Sequence, residues 1–156
     1  MTSPQSAPSA SASIEIAADP AKVYAIITDL GGYSEIAEET QAMVWKKGNS
    51  VAPGSVFRGK NKNGWRSWTT NCRITDADGS RFAFEVTSHP NIPVSRWQYD
   101  VVASAGGCTV TESTWDKRPG WFKKPAELAT GVKNRAEANT AHMQATLARL
   151  KAHAES

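Results

Sequence analysis

The segment CTVTESTWD, residues 108–116, alternates like a strand and carries an acid in its middle. Val110 is the apolar marker of its buried side. Residues two apart share a face of a sheet, so Glu112 and Thr114 are expected on that side too. An ionised carboxylate taken from water without a partner costs several kcal/mol. Glu112 must therefore be paired, solvated within a cavity, or protonated with a raised pKa. Two plainer outcomes stand beside these: a bulge that shifts the phase and turns Glu112 to solvent, or an Arg that pairs with it as structural glue.

The same alternation assigns faces on three other segments. RFAFEV points Phe82, Phe84 and Val86 inward, SRWQYDV points Trp97, Tyr99 and Val101, and NGWRSWTTNCRIT points Trp68, Thr70, Cys72 and Ile74. Trp68 and Trp97 read as walls, suited to a planar guest and equally to routine core packing. The Tyr99 hydroxyl can serve a ligand or satisfy itself against backbone. Near the C-terminus, Leu128, Val132, Ala136, Met143, Leu147 and Leu150 recur at three or four residues, with a gap at Asn139 flanked by Arg135 and His142. These three are candidate polar handles. The bland alternatives are a hydrogen bond from Asn139 to a strand carbonyl or a buried water, and a solvated flank for Arg135 and His142. Glu112 and His142 form the candidate catalytic pair. Trp68, Thr70, Phe84, Trp97, Tyr99, Thr114, Arg135, Asn139 and Met143 form the candidate ligand-binding set.

In RPGWFKKP, Trp121 and Phe122 precede Lys123 and Lys124. They can form a lid, touch an anionic membrane surface transiently, or simply cap the core. Tyr33 and Ile36 are placed with them at the rim. No GxSxG, HExxH, Walker A or GxGxxG pattern occurs, so no cofactor is expected. Cys72 and Cys108 lack CxxC or His-rich company, and no metal site is expected. A net charge of +3, with both signs interspersed, does not imply nucleic acid. The opening MTSPQSAPSASAS has neither a basic nor an apolar region of a leader, and a soluble cytoplasmic protein is expected.

At 156 residues the chain suits one domain. A disordered tail is expected over 1–12, the domain over 13–152, and a frayed end over 153–156. A strand at Ser13 to Ala17 leads to Asp19 as N-cap, Pro20 at the first helical position, and a short helix ending near Leu30. Gly31 and Gly32 break it, and a second short helix follows at Tyr33 to Glu39. Six strands are expected between Thr40 and Asp116, with Asn63-Gly64 as a tight hairpin turn. A single helix from about Pro125 to Ala152 would run about 40 Å, enough to cross a sheet. Gly131 within it could permit a bend.

This order, a strand, two short helices, a six-stranded meander and a long final helix, resembles the START-like or polyketide cyclase/dehydrase (SRPBCC) superfamily. DPAKVYAIITDLGGY is similar to that family's opening helix and turn, and RFAFEV, SRWQYDV and CTVTESTWD to its last three strands. The resemblance implies an α+β helix-grip fold, with a curved seven-stranded antiparallel sheet wrapped around a long C-terminal helix. It also implies a cavity that takes lipids, polyketides or other hydrophobic small molecules, and in some members an aromatase or cyclase activity. Family members often carry a Trp shortly after the aromatic at Tyr33, where this chain has Ile36 or a neighbour. Three functions follow in order. The first is binding or carriage of a hydrophobic small molecule. The second is a cyclase or dehydratase in which Glu112, with His142 or Tyr99, moves protons α to a carbonyl. The third is a protein-interaction module. Either a monomer or a homodimer is compatible with them.

Overall fold

The computed structural model describes residues 6–29, 40–48, 50–131 and 134–156. Its elements are β1 (Ala10–Ile16), α1 (Pro20–Ile27), β2 (Thr40–Lys47), β3 (Val56–Asn63), β4 (Arg66–Ala77), β5 (Arg81–Ser88), β6 (Ile92–Ser104), β7 (Gly107–Asp116), α2 (Gly120–Thr130) and α3 (Arg135–Glu155). The strands form one seven-stranded antiparallel sheet in the order β1-β7-β6-β5-β4-β3-β2. Register shifts at Ile74/Asp76 and Val86/Thr87 add the bends that curve it. The expected second short helix, with Tyr33 and Ile36, lies outside the described residues.

The start of the chain is more ordered than its composition suggests. β1 begins at Ala10, so the tail assigned to 1–12 is corrected for its last residues: Ala10, Ser11 and Ala12 pair with Thr114, Ser113 and Glu112. The Trp115 indole N–H also donates to the Ser6 carbonyl at 2.7 Å. Ser and Ala look like linker, yet strand pairing uses backbone groups, and β7 would otherwise expose an open edge. Hydroxyl pairs Ser11–Ser113 and Ser13–Thr111, at 3.2 and 2.8 Å, join the outer side of the same two strands. In α1 the Asp19 carboxylate accepts from the Ala21 N–H at 2.8 Å, Pro20 occupies the first turn, and Val23 and Ile27 are buried.

The C-terminal helix differs from the expectation in two ways. It is broken: α2 ends at Gly131, which takes a left-handed φ of +74°, and α3 starts afresh behind Asn134. The Asn134 side chain accepts from the Glu137 N–H at 3.1 Å, and its amide reaches back to the Glu137 carboxylate at 3.3 Å. That reciprocal Asn-x-x-Glu cap is a start signal, and the long apolar stripe conceals it. The end assigned as frayed is pinned: α3 runs to Glu155, Ala154 is buried, and the Lys22 ammonium donates to the Ala154 carbonyl at 2.7 Å.

The interior divides along α3. Its C-terminal half contributes Leu147, Leu150 and Ala154 to a packed core with Ile16, Val23, Ile27, Phe82 and Val110. Its N-terminal half presents Asn139, Met143 and Thr146, also buried, to a different environment.

Candidate functional site

Beneath the N-terminal half of α3 lies a cavity of about 230 Å³. Strand alternation delivers its walls: Trp68 and Thr70 from β4, Phe84 and Val86 from β5, Trp97 from β6 and Glu112 from β7. α3 covers them with Arg135, Asn139, His142, Met143 and Thr146. Phe84 stands at the border, edge-on to buried Phe57 with ring centroids 5.3 Å apart. The Trp97 indole N–H donates to Ser95 Oγ at 3.1 Å, which fixes the ring as a wall.

Helix α2 closes one side. Phe122, Ala126 and Thr130, spaced by four, face the cavity. Trp121 and Leu128 lie on the opposite stripe and are 67% and 77% exposed. Of the two aromatics expected at the lid or rim, only Phe122 lines the cavity: neighbours in a helix point about 100° apart, and Trp121 turns outward. Arg66 ties α2 to the β3–β4 hairpin. Its Nε donates to the Leu128 carbonyl at 3.3 Å, and its guanidinium stacks over exposed Trp65 at 4.2 Å. At the other rim Arg118 clasps Asp116 with both ends of its fork, at 2.9 and 2.8 Å.

Glu112 is 2% exposed, and its strand partner in β6 is Tyr99. No bulge interrupts β7 against β6 from Ser95↔Asp116 to Ser104↔Gly107, so the inward phase set by Val110 carries through. Burial pushes the Glu112 carboxyl up to about 8, against the opposing pull of a hydrogen bond from the Tyr99 hydroxyl. Its Oε1 has no hydrogen-bond partner among the described residues. A carboxyl of this kind is largely protonated at neutral pH. Cys72 also lines the cavity, but burial pushes its thiol up to about 12, which removes it as a nucleophile.

Of the residues singled out from the sequence, the structure brings together Glu112, His142, Trp68, Thr70, Phe84, Trp97, Arg135, Asn139, Met143 and Phe122 around one space. Tyr99 and Thr114 are not on its wall. Tyr99 is buried behind Glu112, and the Thr114 hydroxyl is spent on the Arg96 carbonyl at 2.9 Å. Alternation assigns a face, and it says nothing of depth along the strand. Sequence reasoning missed Asn61 and Gly59 on β3, Ser95 on β6, Thr146 on α3 and the Asp116–Arg118 clasp. Thr146 was findable, since it continues the 139, 143, 146 spacing of the stripe. Ser95 was findable too, since it shares the parity of Trp97 and Tyr99 and the bulge at Val86/Thr87 lies beyond it.

A model of the family described as "Polyketide cyclase / dehydrase and lipid transport" matches residues 7–155. No curated protein matches the sequence. Among solved structures, the di-domain ARO/CYC StfQ from the steffimycin biosynthetic pathway superposes with a TM-score of 0.71 at 14% identity, over 93% of this chain. The chain spans about half the length of that protein, 49%. A protein from Chromobacterium violaceum superposes at 0.68 and 13% identity, over 94% of this chain and 96% of its own. The major latex-like protein 151 of Panax ginseng does so at 0.68 and 13%, over 92% and 95%. At such identities the likeness is one of fold. The hollow sheet, the helix laid across it and the family match over nearly the whole chain agree, and the chain belongs to the polyketide cyclase/dehydrase and lipid transport family.

Proposed function

We propose that the protein binds or carries a hydrophobic small molecule, lipid or polyketide-like, between the sheet and α3. The observation that carries this is the unfilled space of about 230 Å³ walled by Trp68, Phe84 and Trp97. Protein interiors are normally packed to the density of organic crystals. A void this large forfeits dispersion contacts that a guest would restore, and burial of apolar surface contributes about 25 cal/mol per Å². Polar groups among its lining residues, Glu112, Asn139, Thr146 and His142 included, converge on the space and can orient a mainly apolar ligand. The exposed Trp121–Leu128 stripe, beside Lys123, Lys124 and the hairpin's Trp65 and Arg66, supports transient contact with an anionic membrane surface as the entry route. Two buried free thiols, Cys72 and Cys108, support a cytoplasmic location.

Native mass spectrometry of the protein purified from its own host tests this. We expect a copurified adduct that unfolding releases. Protein that carries no adduct and also takes up no apolar probe would end the reading.

A second reading, a cyclase or dehydratase in the same cavity, is favoured by one observation: the Glu112 carboxyl, on the cavity wall, is bonded to the Tyr99 hydroxyl behind it. An acid with a pKa near neutrality can protonate or deprotonate a group α to a carbonyl. Glu112→Gln would then lower turnover by about 10² or more. An unchanged product profile would remove Glu112 from any such mechanism.

A further inference from the structure

Within the cavity one polar group has incomplete bonding. Glu112 is buried on the wall, and the Tyr99 hydroxyl donates to its carboxyl. Its Oε1 is left without a partner among the described residues. Buried polar atoms in folded proteins are almost always paired, so an orphan oxygen on the wall of an unfilled cavity points to a ligand atom as the missing partner. A neutral carboxylic acid has one oxygen that only accepts and one that carries the proton. Because the Tyr99 hydroxyl donates to one oxygen, that oxygen is the acceptor, and the proton falls to Oε1.

We infer that Glu112 recognises its guest as a hydrogen-bond donor, so that the ligand is a compact molecule of one or two rings bearing a carbonyl oxygen. This rests on the ligand-cavity reading above and narrows it. Size follows from the volume: about 230 Å³ is below the roughly 300–1,000 Å³ of sites for drug-sized molecules. Other ionisable groups share the surroundings of Glu112. The titratable and charged groups facing the same space are Cys72 from β4, Asp116 and Arg118 at one rim, and Arg135 and His142 from α3, with Tyr99 of β6 buried behind Glu112. Asp116 and Arg118 are paired with one another at 2.8 Å. Burial holds Glu112 in its protonated form up to about pH 8, consistent with a donor at neutral pH.

The test compares three probes that differ at one group: 2-acetylnaphthalene, 2-ethylnaphthalene and 2-naphthylmethylamine, with Kd from equilibrium dialysis. At pH 6.5 the wild type should bind the ketone roughly tenfold tighter than the hydrocarbon, the size of one net hydrogen bond. Glu112→Leu should lose that preference while binding 2-ethylnaphthalene as before, and Glu112→Gln, whose amide still donates, should keep it. At pH 9.5 the wild-type preference should fall toward one, and that of Glu112→Gln should persist. The wild-type pH series decides the matter even if Glu112→Leu fails to fold. Equal binding of ketone and hydrocarbon by the wild type at pH 6.5, or tightest binding of the amine, overturns the donor role while leaving a ligand cavity. Failure of all three probes to bind overturns the cavity reading and this inference together.

Discussion

Glu112 gains a proton on folding, and this has a measurable sign. Its ordinary value is 4.5 and burial lifts it to about 8 in the folded chain. The folded state therefore holds the proton more tightly than the unfolded one. Stability from this group is fully present below about pH 4.5, declines as the pH rises from there, and has all been lost above about 8. With about 1.36 kcal/mol per pKa unit, the loss across that window is on the order of 3–5 kcal/mol. Glu112→Gln removes the titration but keeps an amide oxygen to accept from Tyr99. Urea unfolding at pH 5, 7 and 9 should show the variant gaining on the wild type at each step, and parallel profiles would mean that Glu112 reaches solvent. The inward placement of this residue was readable from the sequence because β7 is unbroken and Val110 anchors its phase. Its partner was readable only as a choice between Tyr99 and His142, since which residue lies opposite across two strands depends on register, which the alternation of a single strand leaves open.

Gly131 separates the two readings of the C-terminal segment. Were 125–152 one helix, Gly131→Ala would stabilise it by about 1 kcal/mol, as alanine does in a helix interior. In the structure Gly131 is the left-handed cap of α2, with φ of +74°. A side chain there meets Arg66 Cδ at 2.9 Å as well. Gly131→Ala should therefore destabilise by about 1–2 kcal/mol, mostly through the positive φ. Thermal unfolding of the single variant settles the sign, and a rise in Tm would favour the unbroken helix. The order of elements was legible because periods of two and of about three and a half residues are distinct over long runs. The break was hidden because the apolar stripe continues through it: Leu128 extends the spacing of α3 although it belongs to another helix and faces outward. The glycine was visible, but its φ was not. β1 was shortened for a related reason, since its first residues are held by backbone pairing to β7 and carry no apolar signal.

A packed pole and a hollow pole share one sheet and one helix, and the division predicts how the molecule answers to truncation. Leu150 and Met143 both sit on the buried face of α3 and are both 0% exposed. Leu150 belongs to the continuous core with Ile16 and Val23, so Leu150→Ala opens a new void that its neighbours cannot close. Such changes cost about 3–5 kcal/mol, from lost transfer energy plus a cavity term. Met143 borders space that is already empty. Met143→Ala loses the transfer energy but only widens an existing cavity, which water or a guest can enter, and should cost at least about 1 kcal/mol less. Urea unfolding of the two variants under identical conditions measures the difference. Equal costs would mean that the region under the N-terminal half of α3 is packed as tightly as the rest. The expected inequality is also what function requires, because a pole that binds must stay underfilled while the other pole holds the fold together. The same helix then carries stability at one end and the ligand wall at the other, and a guest that fills the hollow should raise the stability of the whole chain by mass action.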